Sequence, residues 1–303
     1  MSMFYREWMK YIADDVKLTE VVMPGTHNSG SYGMISFARC QGDDMYTQFA
    51  CGVRHFCIRY HEIVKNKIVL SHGVAMGKPL THALKDMRRM LEENDSEFLI
   101  FDMREYNPQP VGPFTFISKV NEDLFARLLN EFLNADELCY TDYENISEIT
   151  FEKIRKSGKR FVILNYRDAY PWCRGNYGTE SPWVPELHGK RAEVFAKEVF
   201  SHFDKRQEDK LFWFQTQQTP GFDAEVGMAT PKKLDKSLRP YYKNIIDTIK
   251  NNEAYLKGAN VISGDFMTED YSKCREIIRL NLYKGTVKEE CREIFEAELN
   301  KTR

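Results

Sequence analysis

Residues 68–103 read IVLSHGVAMGKPLTHALKDMRRMLEENDSEFLIFDM. A short apolar run (Ile68–Ser71) leads through a glycine- and proline-bearing turn to an amphipathic stretch (His82–Glu93). A second apolar run, Phe98–Met103, follows. The period changes from strand-like to helix-like and back, which is the pattern of a strand–helix–strand unit.

The same alternation extends in both directions. It predicts strands at Leu18–Met23, Arg54–Tyr60, Arg160–Asn165, Leu211–Thr216 and Asn260–Gly264. It predicts helices at Phe116–Asn134, Ile149–Lys156, Lys190–Phe203, Pro240–Leu256 and Tyr271–Leu282. Strands separated by helices along the whole chain argue for a parallel sheet. Their number fits a distorted (β/α) TIM-like barrel, with an open doubly wound sheet as competitor. No GxGxxG follows any strand, which lowers the nucleotide-binding version of that competitor. No Pro-, Gly- or Ser-rich linker divides residues 1–303, so one domain is expected. The charged segment Lys284–Arg303 reads as a C-terminal surface helix.

The chain has 303 residues, 42% of them apolar, and a net charge of −2. That balance supplies a packed core and no global field toward nucleic acid. Seven scattered cysteines, an odd number without a CxxC pair, read as free thiols in a reducing compartment. The N-terminus, MSMFYREWMKYIADD, lacks the apolar segment of a signal peptide, and no run is long enough to span a bilayer; a cytoplasmic location is the expectation. The segment Ala169–Leu187, rich in proline and aromatics, reads either as a self-packed loop or as a lid over a site.

Three polar clusters lie at predicted strand ends: Pro24-Gly25-Thr26-His27-Asn28-Ser29-Gly30, Arg54-His55-Phe56-Cys57-Ile58-Arg59, and Ser71-His72-Gly73. In a barrel, the C-terminal strand ends carry the chemistry. Alternation places His55, Cys57 and Arg59 on one face. A guanidinium beside two histidines suits a phosphate, because its fork matches two phosphate oxygens. Two imidazoles with ordinary pKa values near 6.5 divide naturally into a base and an acid. His55, His61, His82, His188 and His202 read as structural or solvated. Zinc on His27, His72 and Cys57 is disfavoured, because Arg59 would place a cation on the same strand face.

Together PGTHNSG, GVRHFCIRY and LSHG resemble the X domain of phosphatidylinositol-specific phospholipase C, in its bacterial, metal-independent form. The resemblance implies a distorted barrel with no cofactor. It implies His27 as general base, Arg59 as phosphate contact and His72 as general acid. It further implies Asp265, in NVISGDF, as the support of the acid histidine, and Arg104, after FLIFDM, as a basic substrate contact. Arg167 and Gln217 fall where the family holds inositol hydroxyls. The implied reaction is attack of an inositol 2-hydroxyl on its own phosphodiester; the implied partners are a phospholipid or inositol phosphate, with transient contact to a membrane surface.

Two positions depart from the bacterial pattern, which carries aspartate at both Asn28 and Cys57. A thiolate at Cys57 would partly replace the carboxylate, since a nearby arginine lowers a thiol pKa; otherwise Cys57 is a neutral small residue. Asn28 matches a calcium ligand of the eukaryotic branch, but that branch also needs two acids on the second strand. The alternatives are a weak or inactive inositol-phosphate or lipid-binding relative, and a metal-dependent glycerophosphodiester-type enzyme.

Overall fold

The computed structural model describes residues 2–63, 66–105, 117–164, 172 and 179–301. Among the described residues ten strands make one curled sheet: β1 (Met23–Thr26), β2 (His55–Ile63), β3 (Lys67–His72), β4 (Ala75–Pro79), β5 (Leu99–Glu105), β6 (Ile117–Ser118), β7 (Phe161–Leu164), β8 (Thr179–Glu180), β9 (Leu211–Gln215) and β10 (Val261–Gly264).

Seven of them pair in parallel, in the order β8–β9–β10–β1–β2–β5–β7. This is the distorted α/β barrel expected from the alternation. The strand–helix–strand unit is arranged differently, however. β3 does not join the parallel wall. It folds back antiparallel on the outer half of β2, with Tyr60 opposite Leu70 and Ile63 opposite Lys67. β4 then returns along β3 through a two-residue turn, where Gly73 has φ +59°. A positive φ at such a turn matches the twist of a tight hairpin. His72 therefore sits at the tip of an arm, and the parallel neighbour of β5 is β2.

The first strand also lies later than expected, at Met23–Thr26. The apolar Leu18, Val21 and Val22 are buried in the turn before it. Asn260 and Asn281 side chains bond the backbone there: Asn260 Nδ2 donates to Leu18 O at 3.0 Å, and Asn281 Oδ1 accepts from Val22 N at 2.9 Å. The expected helix starting at Pro240 in fact begins at Pro231, capped by Thr230, and runs through Pro240 to Asn251.

Side-chain alternation along β2 divides the core in two. Phe56, Ile58 and Tyr60 face outward into the larger apolar cluster, which includes the helix Leu80–Glu93 through Leu80, Ala83, Leu84, Met87 and Leu91. Those helix positions recur at three- and four-residue spacing, the stripe an amphipathic helix buries. Cys57 faces the barrel interior with Met23, Ile100, Val162, Trp213 and Val261. Interior side chains fill the barrel floor, which leaves the open end of the barrel for a ligand.

Candidate active site

β1 ends in Thr26, and the chain turns at once. Asn28 adopts a left-handed conformation (φ 46°), which asparagine tolerates better than most residues. Thr26 and Ser29 bond each other through their hydroxyls at 2.7 Å, closing the turn. Gly25 beneath is required by close approach, since a Cβ there would lie 2.8 Å from Val261 and 3.2 Å from the His55 ring. His27 is thereby aimed into the barrel mouth.

The loop before the helix Met45–Ala50 covers this turn. Ser31 Oγ accepts from the backbone N–H groups of Cys40 and Gln41, at 2.9 and 3.2 Å. Gln41 Nε2 donates to His27 O at 2.8 Å and to Gly264 O at 3.0 Å. Phe266 N–H donates to Cys40 O at 2.8 Å. The thiol of Cys40 is thus held beside both histidines.

His27 and His72 meet across the mouth, ring centroids 6.0 Å apart and planes at 86°. They line a polar cavity of about 580 Å³ with Arg59, Arg104, Thr179, Ser181, Trp183, Trp213, Gln215 and Thr219. His27 Nδ1 bonds Asp265 Oδ1 at 2.8 Å, while Asn28 Nδ2 lies 3.1 Å from Nε2. An amide nitrogen only donates, so Nε2 accepts, and in the neutral ring Nδ1 carries the proton that Asp265 receives. His72 Nδ1 donates to the carbonyl of Ala38 at 2.7 Å, which leaves its Nε2 for exchange with a ligand.

Asp265 therefore serves His27, not His72 as the resemblance implied. β10 is the hydrogen-bonded neighbour of β1 (Thr26 opposite Gly264), so the residues that follow each strand meet. His72 lies on the β3–β4 arm. Lys273, in the helix Tyr271–Lys284, holds the peptide of Asp265 through an Nζ–O bond of 3.1 Å and pairs with buried Asp235.

Burial sets the electrostatics. It pushes the His27 pKa well down, helped by Arg59 and Arg104. It pushes His72 down to about 4, with His27 adding and the Ala38 carbonyl opposing. It pushes the Asp265 carboxyl up, against the pull of His72 and Lys273. Both shifts favour the neutral rings near pH 7.

The opposite wall carries fixed charge. Arg104 is clamped by Asp102 through two bonds, Nε–Oδ1 at 2.9 Å and Nη2–Oδ2 at 2.7 Å, and lies 4.7 Å from the Trp213 ring centroid. β2 and β5 run in register, with Arg59 opposite Arg104 and Cys57 opposite Asp102.

Cys57 itself is fully buried, and burial raises its thiol pKa despite Arg104 and Arg59. Burial thus opposes a thiolate stand-in for the missing carboxylate and favours the other reading of Cys57, a neutral small residue. The acid beside Arg104 is instead Asp102, within FLIFDM. Gln217, expected on substrate, is buried and donates to Gln215 Oε1 at 2.7 Å; Gln215 is the member of the pair that lines the cavity. Arg167 lies outside the described residues, as do 169–171 and 173–178 of the segment Ala169–Leu187. Trp172 is buried with its indole N–H on Asp136, whereas Trp183 stands at the cavity rim, its ring 3.7 Å from that of His188.

Sequence reasoning missed Cys40, Asp102 and Trp213. Trp213 shares a strand face with Gln215 and was legible from alternation. No local pattern marked Cys40.

The chain is a distorted α/β barrel with two histidines and an arginine at its mouth. No family model matches the chain. Over 184 residues it is 33% identical to a 1-phosphatidylinositol phosphodiesterase of Staphylococcus aureus, covering 58% of this chain and 55% of that protein. A Listeria monocytogenes protein of the same name is 27% identical over 112 residues, 34% of each chain. The match spans about half the length of the S. aureus relative. A variant of the S. aureus phosphatidylinositol-specific phospholipase C superposes with a TM-score of 0.67 at 19% identity, covering 93% of this chain and 96% of that one. The L. monocytogenes enzyme superposes at 0.65 with 18% identity, covering 91% and 98%. The chain thus shares its fold with these phospholipases C and is similar in sequence, over somewhat more than half its length, to the S. aureus 1-phosphatidylinositol phosphodiesterase.

Proposed function

We propose that this chain cleaves phosphatidylinositol or a related phosphodiester lipid by acid–base catalysis between His27 and His72. The observation that carries the reading is the placement of both rings and Arg59 around one polar cavity.

In this reading a substrate hydroxyl displaces the Asn28 amide from His27 Nε2 and gives up its proton there. Asp265 orients the ring and stabilises the imidazolium that forms. The hydroxyl oxygen attacks the neighbouring phosphorus, and the P–O bond to the leaving alkoxide breaks. His72, charged in the presence of the phosphate, protonates that oxygen from Nε2. Arg59 and Arg104 stabilise charge on the phosphoryl oxygens. Because Asp102 fixes the Arg104 guanidinium, little reorganisation accompanies the reaction. The nucleophile belongs to the substrate, and positioning supplies much of the rate. Transient contact with a lipid surface belongs to the same proposal. No helix among the described residues is long and apolar enough to cross a membrane.

The test is incubation with phosphatidylinositol, with and without a chelator, followed by phosphorus NMR. A cyclic inositol phosphate formed in the chelator supports the reading. Turnover only with added metal, or none for any phosphodiester, sinks it.

A further inference from the structure

We propose that His27, Cys40 and Asp265 form a binding site for a soft divalent cation, zinc in particular, whose occupation takes the base out of use. The inference concerns binding and stands whether or not the cleavage reaction is correct.

The three side chains each present one ligand atom, and those atoms lie within 4.8 Å of one another. They come from three separate loops that backbone and side-chain bonds tie together: His27 by the turn after β1, Cys40 by the Ser31 and Phe266 bonds, and Asp265 by Lys273. Tetrahedral zinc holds sulfur at about 2.3 Å and nitrogen or oxygen at about 2.0–2.2 Å, so its ligands stand roughly 3.3–3.8 Å apart. His27 Nδ1 and Asp265 Oδ1, now 2.8 Å apart, would separate slightly, and no other edge would have to contract by more than about 1.5 Å.

Burial keeps the free Cys40 a thiol, so a cation would have to displace its proton, and two nitrogens lie near the sulfur. Asn28 Nδ2 lies 3.7 Å and His72 Nδ1 3.6 Å from the sulfur. Asn28 Oδ1 is buried without a hydrogen-bond partner among the described residues. Turning that amide, or admitting a water from the cavity, supplies a fourth ligand. Thiolate with imidazole favours zinc over magnesium or calcium.

The proton balance follows. The Cys40 thiol proton leaves to solvent. The His27 proton moves from Nδ1 to Nε2, freeing Nδ1 for the metal. Nε2 then carries a hydrogen and can no longer accept one from a hydroxyl, so zinc and turnover exclude each other. Because a proton is released, affinity weakens as pH falls.

Cobalt(II) titration of the reduced full chain tests this. One equivalent should produce a near-ultraviolet thiolate-to-cobalt charge-transfer band, and zinc should erase it. The band should vanish in Cys40→Ser and Cys40→Ala, and persist in Cys291→Ser, a remote half-buried thiol. Asp265→Asn should weaken cobalt binding at least tenfold. Zinc-edge X-ray absorption on the unmodified chain should show one sulfur at about 2.3 Å. No band in the unmodified chain, a band that survives loss of Cys40, or a shell of nitrogen and oxygen alone would overturn the site. In a chain that does cleave phosphatidylinositol, zinc should inhibit and a chelator restore the rate.

Discussion

The two walls of the cavity are built on different principles. On the β10–β1 side His27, Asn28, Cys40 and Asp265 are buried, and burial drives every titrating group there toward its neutral form. On the β2–β5 side Arg59 and Arg104 present guanidinium groups to the cavity, and Asp102 holds Arg104 in a bidentate clamp. One wall can move a proton cheaply because none of its members insists on being charged. The other can meet an anion without rearranging. A phosphodiester lying between them would touch a proton acceptor on one side and fixed cations on the other.

Breaking the proton wall should have the largest effect. His27→Ala is expected to lower kcat by about 10⁴, at the top of the range for general-base loss. Phosphatidylinositol cleavage measured by phosphorus NMR checks this, and a loss of less than tenfold would remove His27 from the role. Breaking the charged wall should come next. Arg59→Lys keeps the charge but loses the fork, and should reduce kcat/KM by about 10²–10³.

The third test addresses the coupling of the walls. His72 stands at about 4 in the free chain, lowered by burial, His27 and Arg59. A bound phosphate adds negative charge, which favours the imidazolium and raises that pKa. The sign is therefore fixed: the alkaline limb of kcat should lie at higher pH than the alkaline limb of kcat/KM. Coincident limbs would show that substrate leaves His72 unperturbed. Asn28→Asp should act on the other limb. A carboxylate beside His27 Nε2 favours its charged form, so the acid limb of kcat/KM should move up by about 1 unit or more. The smallest effect is expected beneath the arginines, where Cys57→Ala should change kcat/KM by less than about threefold, since a neutral buried thiol contributes no charge to the reaction.

Much of the site was legible before folding. His27, His72 and Arg59 could be named because each stands within or just after an apolar strand, amid small turn residues or on an alternating face. Those cues are local, and local sequence sets where strands end and which way their side chains point. The role of Asp265 was assigned to the wrong histidine because its partner lies 238 residues away in the chain. Only the parallel pairing of β1 with β10 makes them neighbours. Cys40 was invisible for the same reason: it lies on a loop of no regular period, carried to the mouth by backbone bonds to Ser31 and Phe266. Gln215 and Gln217 share alternation parity, yet only Gln215 lines the cavity, because β9 ends between them.

The sequence by itself determined the alternation of strands and helices, the parallel α/β class, the three polar strand ends and the inward face of β2. These depend on periodicity and turn chemistry, which act over a few residues. The tertiary structure alone decided that β3 folds back as an arm, that Asp265 and Cys40 close around His27, and that Cys57 is sealed beneath the arginines. Those outcomes depend on which strand edges pair and which loops then pack over them, and that is settled by burial of the whole core.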